Sequence, residues 1–158
     1  MARSSAKSVG HKPGRIEDLK QQCLAILARA EGNLGPTTAQ SLHGQVDRLL
    51  SPEEWEQSEA APLAASFGYA VAFLAKNNQL RVPSITVANE NFVLSYLKNR
   101  DRMNAVHLEF DSAGWTTFIV SLSPIGHDSK GREGAMTVPL DEVRSHLELM
   151  HVWDWLVA

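Results

Sequence analysis

The stretch VHLEFDSAGWTTFIVSL, residues 106–122, contains two short runs in which apolar and polar side chains alternate. Successive side chains of a β-strand point to opposite faces, so each run predicts a strand with one buried and one solvated face. The turn between them, DSAG, is too short for a parallel crossover and predicts an antiparallel hairpin. The predicted core residues are Val106, Leu108 and Phe110 in the first run, and Thr116, Phe118, Val120 and Leu122 in the second.

The same alternation extends in both directions from this hairpin. Two further strands are predicted at residues 82–87 and 92–97, and a fifth strand at 135–138. Short polar turns separate the first four strands, and a polar, glycine-containing loop precedes the fifth. The pattern therefore predicts an antiparallel meander of four or five strands over residues 82–138.

The segment before the strands, residues 15–78, has the period of helices instead. Apolar residues recur there at steps of three and four, which places them on one face of each helix. A last helix is predicted at 140–157, after Pro139. The N-terminal helices are predicted at 15–30, 37–50 and 61–77.

One local signal lies between the second and third predicted helices. The sequence SPEEW, residues 51–55, has the spacing of a capping box, in which the side chains of Ser51 and Glu54 bond each other's backbone amides. Pro52 suits the first helical position, where a missing N–H costs no hydrogen bond. We interpret this segment as structural.

The order of helices, strands and a final helix predicts an α+β fold, with the N-terminal helices packed on one face of the sheet. The chain has 158 residues, which suits a single domain over residues 15–158. The first fifteen residues carry four basic and no acidic side chains, which leaves a net charge of −7 on the remainder. We interpret residues 1–14 as a flexible basic tail.

The single cysteine, Cys23, excludes an intrachain disulfide and a CxxC site, and it predicts a reducing, cytoplasmic location. Cys23 falls on the apolar stripe of the first predicted helix, which predicts a small buried hydrophobe. No apolar window approaches the length of a membrane span, so no membrane contact is expected. Neither a P-loop nor a GxGxxG pattern occurs, so no cofactor is expected.

Four polar residues define the enzyme hypothesis. His107 and Glu109 are two apart on a predicted strand and share a face, while His127 and Asp128 lie in the glycine-containing loop. Imidazole and carboxylate groups suit general acid and base work and metal binding, so a small hydrolase or a metal-dependent enzyme requires these four to converge. No recognised metal spacing is present, and we favour a solvated sheet face with no metal or catalytic site.

A basic cluster, formed by Lys98, Arg100 and Arg102, is predicted at a hairpin tip. Such a tip can be an ordinary charged turn, or it can contact an acidic partner or phosphates together with the basic tail. The second use predicts a weak nucleic-acid-binding protein. The overall charge of −3 argues against nucleic acid as the partner.

The chain ends in HVWDWLVA, residues 151–158, which is rich in large apolar side chains. Either Trp153, Trp155 and Leu156 pack back onto the domain, or they form an interface with another protein or with a second copy of the chain. Tryptophan is favoured at the buried centres of interfaces.

These observations together predict a non-enzymatic protein-interaction module. The predicted contact residues are those of the basic cluster and the C-terminal segment. An antitoxin, an immunity protein or an accessory subunit of a small bacterial operon fits this expectation, because the acidic remainder of the chain suits a neutraliser of a toxin that acts on nucleic acid.

Overall fold

The computed structural model describes residues 13–55, 60–98, 101–122 and 132–157, which form helices, then a sheet, then two short C-terminal helices. This is the α+β arrangement predicted above. Among the described helices, none combines the length and apolar character that crossing a bilayer requires. The elements are α1 (Pro13–Leu34), α2 (Pro36–Leu49), α3 (Ala64–Lys76), β1 (Ser84–Ala88), β2 (Asn91–Lys98), β3 (Asp101–Phe110), β4 (Trp115–Leu122), β5 (Arg132–Pro139), α4 (Val143–Leu149) and α5 (Trp153–Val157).

The strands form a five-stranded sheet in the order β1-β2-β3-β4-β5, and every neighbouring pair is antiparallel. The predicted meander is therefore confirmed. Asn89 and Glu90 join β1 to β2 with φ angles of 53° and 63°, as a two-residue hairpin turn with both central residues left-handed requires. Gly114 takes a φ of 97° in the turn that joins β3 to β4, where the Asp111 carboxylate accepts the N–H of Trp115.

The first helix is longer than its sequence predicted. It runs for 22 residues and passes through Gly32, because Leu34 continues the buried stripe that includes Cys23 and Leu27. The helix ends at Gly35, whose φ of 87° suits a residue without a side chain. Residues 1–12 of the predicted tail lie outside the described residues, and Pro13 and Gly14 begin the helix.

One face of the sheet forms the core with the helices. The α3 helix packs against α1 on one side and against β2 and β3 on the other, and α2 packs against β1. The buried face is the one that the alternation predicted. Its core side chains include Phe92, Leu94, Tyr96, Val106, Leu108, Phe110, Phe118 and Val120.

A buried serine of α3 joins the helical layer to the centre of the sheet. The hydroxyl of Ser66 donates to the carbonyl oxygen of Phe110 at 2.5 Å and accepts the N–H of Phe92 at 2.8 Å. Its side chain thus lies between the main chains of β2 and β3, and Ser66 has no exposed surface. The bridge gives a hydrogen-bond partner to two main-chain groups in the core.

The outer edge of β1 is capped by a side chain of α2. The amide of Gln45 donates through Nε2 to the carbonyl oxygen of Pro83 at 2.9 Å, and its Oε1 accepts the N–H of Ile85 at 2.8 Å. The side chain thereby makes the two contacts that one residue of a neighbouring strand would make. This edge is therefore partly closed to further strands.

The predicted capping box does not form. Ser51 precedes a single 3₁₀ turn, Pro52–Glu54, and its hydroxyl donates to the Glu53 carboxylate instead of capping the backbone. The backbone is extended again at Trp55, whose N–H donates to the carbonyl oxygen of Pro52. Within the described residues 51–55, the single 3₁₀ turn does not offer the amides that a capping box needs.

The C-terminal segment is two helices where one was predicted at 140–157. The α4 helix ends in a pair of hydrogen bonds, from the N–H of His151 to the carbonyl of Glu148 and from the N–H of Val152 to the carbonyl of Leu147. This is a Schellman motif, and its left-handed position is held by His151 with a φ of 61°. A glycine is usual there, so the sequence carried no signal for the break.

Replacing Ser66 with alanine removes the hydroxyl that bonds to the Phe92 N–H and to the Phe110 carbonyl in the core. We expect S66A to lower the free energy of unfolding by about 1–3 kcal/mol in urea denaturation. The matched control is S145A, because the exposed Ser145 hydroxyl donates to the carbonyl of Glu142 at the surface. That variant should change stability by less than about 0.5 kcal/mol. Equal losses in the two variants would contradict the bridging role.

Candidate interaction surface

The face of the sheet opposite the core carries no described helix. We call it the open face. None of its side chains belongs to the core that the helices and the sheet form. The strand register aligns these side chains in rows across the sheet. One row holds Thr86, Val93, Glu109, Thr117 and Thr137. The next row holds Ser84, Ser95, His107, Ile119 and Ala135. Leu97 and Trp115 lie on the same face, beyond these rows.

Polar side chains of the open face pair with one another across the strands. The hydroxyl of Ser95 shares a hydrogen bond with Nδ1 of His107 at 2.8 Å, and the amide of Asn91 donates to the carboxylate of Glu109 at 2.8 Å. His107 and Glu109 therefore share a face, as predicted, and each is engaged by a residue of β2. Cross-strand pairs of this kind stabilise a sheet.

The other two residues of the enzyme hypothesis, His127 and Asp128, lie outside the described residues. Across residues 13–55, 60–98, 101–122 and 132–157, no group of three or more His, Cys, Asp or Glu side chains could hold a metal ion. The structure shows a cavity between α1 and α2 and two cavities beside β1, and neither His107 nor Glu109 lines any of these three. The enzyme hypothesis gains no support from the described residues.

Three large apolar side chains are exposed on the open face. Trp115 is 47% exposed, Leu97 40% and Ile119 36%. None of the three is among the contact residues predicted from the sequence, although the sequence carries a signal for them. Trp115 and Ile119 alternate with the core residues of the same run, such as Phe118. An apolar residue at such a position faces away from the core. Exposed apolar residues that share a face mark interaction sites.

The predicted basic cluster is only partly described. Lys98 is exposed at the end of β2 and lies opposite Asp101 in the ladder. Arg100 lies outside the described residues. Arg102 belongs to β3 instead of the turn, because the strand begins at Asp101. The predicted role of the cluster in binding stays a prediction.

The C-terminal segment is tied into the core of the chain. The N–H of Arg81 donates to the carbonyl of Leu156 at 2.9 Å, and the Arg81 side chain donates to the carbonyl of Trp155 at 3.1 Å. Leu156 is fully buried, Trp153 is 7% exposed and Trp155 is half-buried. The guanidinium of Arg144 lies 4.8 Å from the centre of the Trp153 ring, a favourable cation–π contact.

This placement bears on the predicted partner interface at Trp153, Trp155 and Leu156. A partner can reach two of these three side chains only if α5 leaves the core. A partner contact at these residues stays a prediction, but the exposed apolar side chains of the open face need no such rearrangement.

Cys23 lies in the core and has no exposed surface. Burial raises the pKa of its thiol from 9.0 to about 12, because the buried site disfavours the charged thiolate. A nucleophilic cysteine needs the opposite shift, since the thiolate is the reactive form. Cys23 therefore acts as a packed apolar side chain, as the sequence predicted.

Comparison with protein-family models, with curated proteins and with solved structures finds no match for this chain. The candidate surface is therefore assigned from geometry and chemistry alone.

The raised pKa of Cys23 predicts a pH dependence of stability. Both states hold a neutral thiol below pH 9. As the pH rises from 9.0 towards 12, the unfolded thiol ionises while the native thiol stays protonated, so the free energy of unfolding falls. Between pH 8 and pH 10 we expect urea denaturation to show a loss about 1 kcal/mol larger in the wild type than in C23A.

The comparison with C23A cancels other groups that titrate in this range. Burial also raises the pKa of Tyr96, and that residue is present in both proteins. Equal pH slopes in the wild type and in C23A would contradict the assignment of Cys23 as a buried neutral thiol.

Proposed function

We propose that this chain is a non-enzymatic protein-binding module and that a partner protein docks on the open face. The observation that carries the proposal is the joint exposure of Trp115, Ile119 and Leu97 on one face of a sheet whose other face forms the core with the helices. A flat surface with apolar and hydroxyl side chains resembles the centre of a protein interface, where charged residues are depleted and tryptophan is enriched.

The chemistry of the open face favours a protein over nucleic acid. None of the open-face residues named above is lysine or arginine. Nucleic-acid binding depends mainly on cations that neutralise phosphates, so this face lacks the main source of affinity for such a partner. The expected occupant is therefore a folded protein with an apolar patch of its own.

The polar residues of the open face favour binding over catalysis. His107 and Glu109 are bonded to Ser95 and Asn91, and these contacts are the ones a sheet makes for its own stability. Catalytic sites of enzymes are usually concave and exclude water. A sheet face without a described cover suits a second protein surface better than a small substrate.

Within this class we propose an antitoxin-type, immunity-type or accessory-subunit role in a small bacterial operon. The support is the net charge of −7 outside the first fifteen residues, which favours association with a basic partner. A cytoplasmic location belongs to the same proposal and rests on the single buried cysteine.

The test compares partner capture by variants of the open face. Immobilised wild type, W115S and I119K would be incubated with extract of the cells that express this chain, and bound proteins quantified by mass spectrometry. We expect one partner whose binding falls by about 30-fold in the open-face variants, the loss of about 2 kcal/mol typical of a central interface residue.

The matched control is L149K, because Leu149 is an apolar side chain of α4, not of the open face, with 75% of its surface exposed. Thermal unfolding of all variants establishes that each is folded. L149K should retain the partner at the wild-type level. Capture of no partner, or of partners that all four proteins bind equally, would overturn the proposal.

A further inference from the structure

The two outer edges of the sheet are closed to different extents. The edge at β1 is short, and the Gln45 amide occupies the main-chain groups of Pro83 and Ile85 there. The edge at β5 spans eight residues, Arg132–Pro139, and β4 is the one strand bonded to it in the described part of the chain. An edge of this kind offers its main-chain groups to another strand.

The ladder between β3 and β4 establishes which way the main chain of β4 points. The N–H of Asp111 donates to the carbonyl of Trp115 at 3.0 Å, which makes these two residues a hydrogen-bonded pair. Bonded and non-bonded pairs alternate along an antiparallel ladder. The main-chain groups of the next residue, Thr116, therefore point away from β3 and towards Val138 of β5.

The same alternation identifies the outward groups of β5. Met136 and Gly134, two and four residues before Val138, also bond to β4, so the N–H and C=O groups of Ala135 and Thr137 point to the outer edge. Pro139 occupies the next outward position. Because this position faces outward, the missing N–H of Pro139 removes no bond to β4. Proline in a sheet favours such outward positions of an edge strand.

The central residues of this edge carry no side chain that discourages pairing. Residues 134–139, GAMTVP, carry no charge, and Met136 is 48% exposed. Proteins that keep an edge strand unpaired usually place charged residues, proline or a bulge along it, and in β5 such residues are confined to the ends, at Arg132, Glu133 and Pro139. The central part of β5 has none of these within residues 134–138.

We propose that two copies of this chain pair antiparallel along β5 and form one continuous sheet. With a two-fold axis at Met136, the outward groups of Ala135 lie opposite those of Thr137 in the second copy, which gives about four main-chain hydrogen bonds. Met136 then faces its own counterpart. A second copy suits the edge because a two-fold contact brings the same uncharged residues together on both sides.

Pairing along β5 also extends the open face. Ala135 lies opposite Ile119 in one row of that face, so the row would continue across the axis into the second copy. The dimer contact itself uses the edge, whereas partner docking uses the face. The two proposals can therefore fail separately.

The test is analytical ultracentrifugation of the full chain over roughly 1–200 μM, a range that spans weak to moderate dimer affinities. The wild type should sediment as a dimer of the 17.4 kDa chain at the upper concentrations. A135P removes an outward N–H without removing a bond to β4, and M136K places like charges opposite each other. Each variant should weaken dimer formation by at least about tenfold.

Two controls keep the result specific. L149K adds the same charge at an exposed apolar position of α4, and I119K changes the open face without changing the edge; both should dimerise like the wild type. M136K preserves the test if A135P fails to fold. A wild type that stays monomeric throughout, or a dimer that both edge variants retain, would overturn the proposal. In the second case the C-terminal segment becomes the interface to examine.

Discussion

The hydroxyl of Ser66 lies between the main chains of two strands and bonds to both, with the carbonyl of Phe110 on one side and the N–H of Phe92 on the other. A buried main-chain group without a partner costs free energy, so this bridge determines where α3 crosses the sheet. Since α1 packs on α3 and α2 packs on β1, the whole helical layer lies on that side. In the described part of the chain, no helix covers the opposite face of the sheet.

A sheet face without a helical cover has to satisfy its own polar side chains. The pairs Ser95–His107 and Asn91–Glu109 do this across the strands. The imidazole of His107 and the carboxylate of Glu109 thus share a face. Their hydrogen bonds stabilise the sheet. The apolar residues between and beyond these pairs, Ile119 among them, form the docking surface that we propose.

Apolar side chains from the end of the chain complete the core. Arg81 donates from its main chain and its side chain to two carbonyls of α5, which brings Trp153 and Leu156 into the core. The Schellman motif at His151 supplies the change of direction that this packing requires. As a result, Trp153 is almost completely buried, whereas about half of Trp115 on the sheet is exposed.

The sequence by itself determined the strands, their antiparallel order and the face that is buried, because alternation and short turns are local properties of residues 82–138. Local pattern did not determine where α1 ends or that the C-terminal helix breaks, since Leu34 packs beyond Gly32 and His151 takes a left-handed φ without being glycine. Only the tertiary structure decided which tryptophan is exposed, 47% for Trp115 against 7% for Trp153. The physical reason is that burial depends on the elements that cover a side chain, and these are brought together from distant parts of the chain.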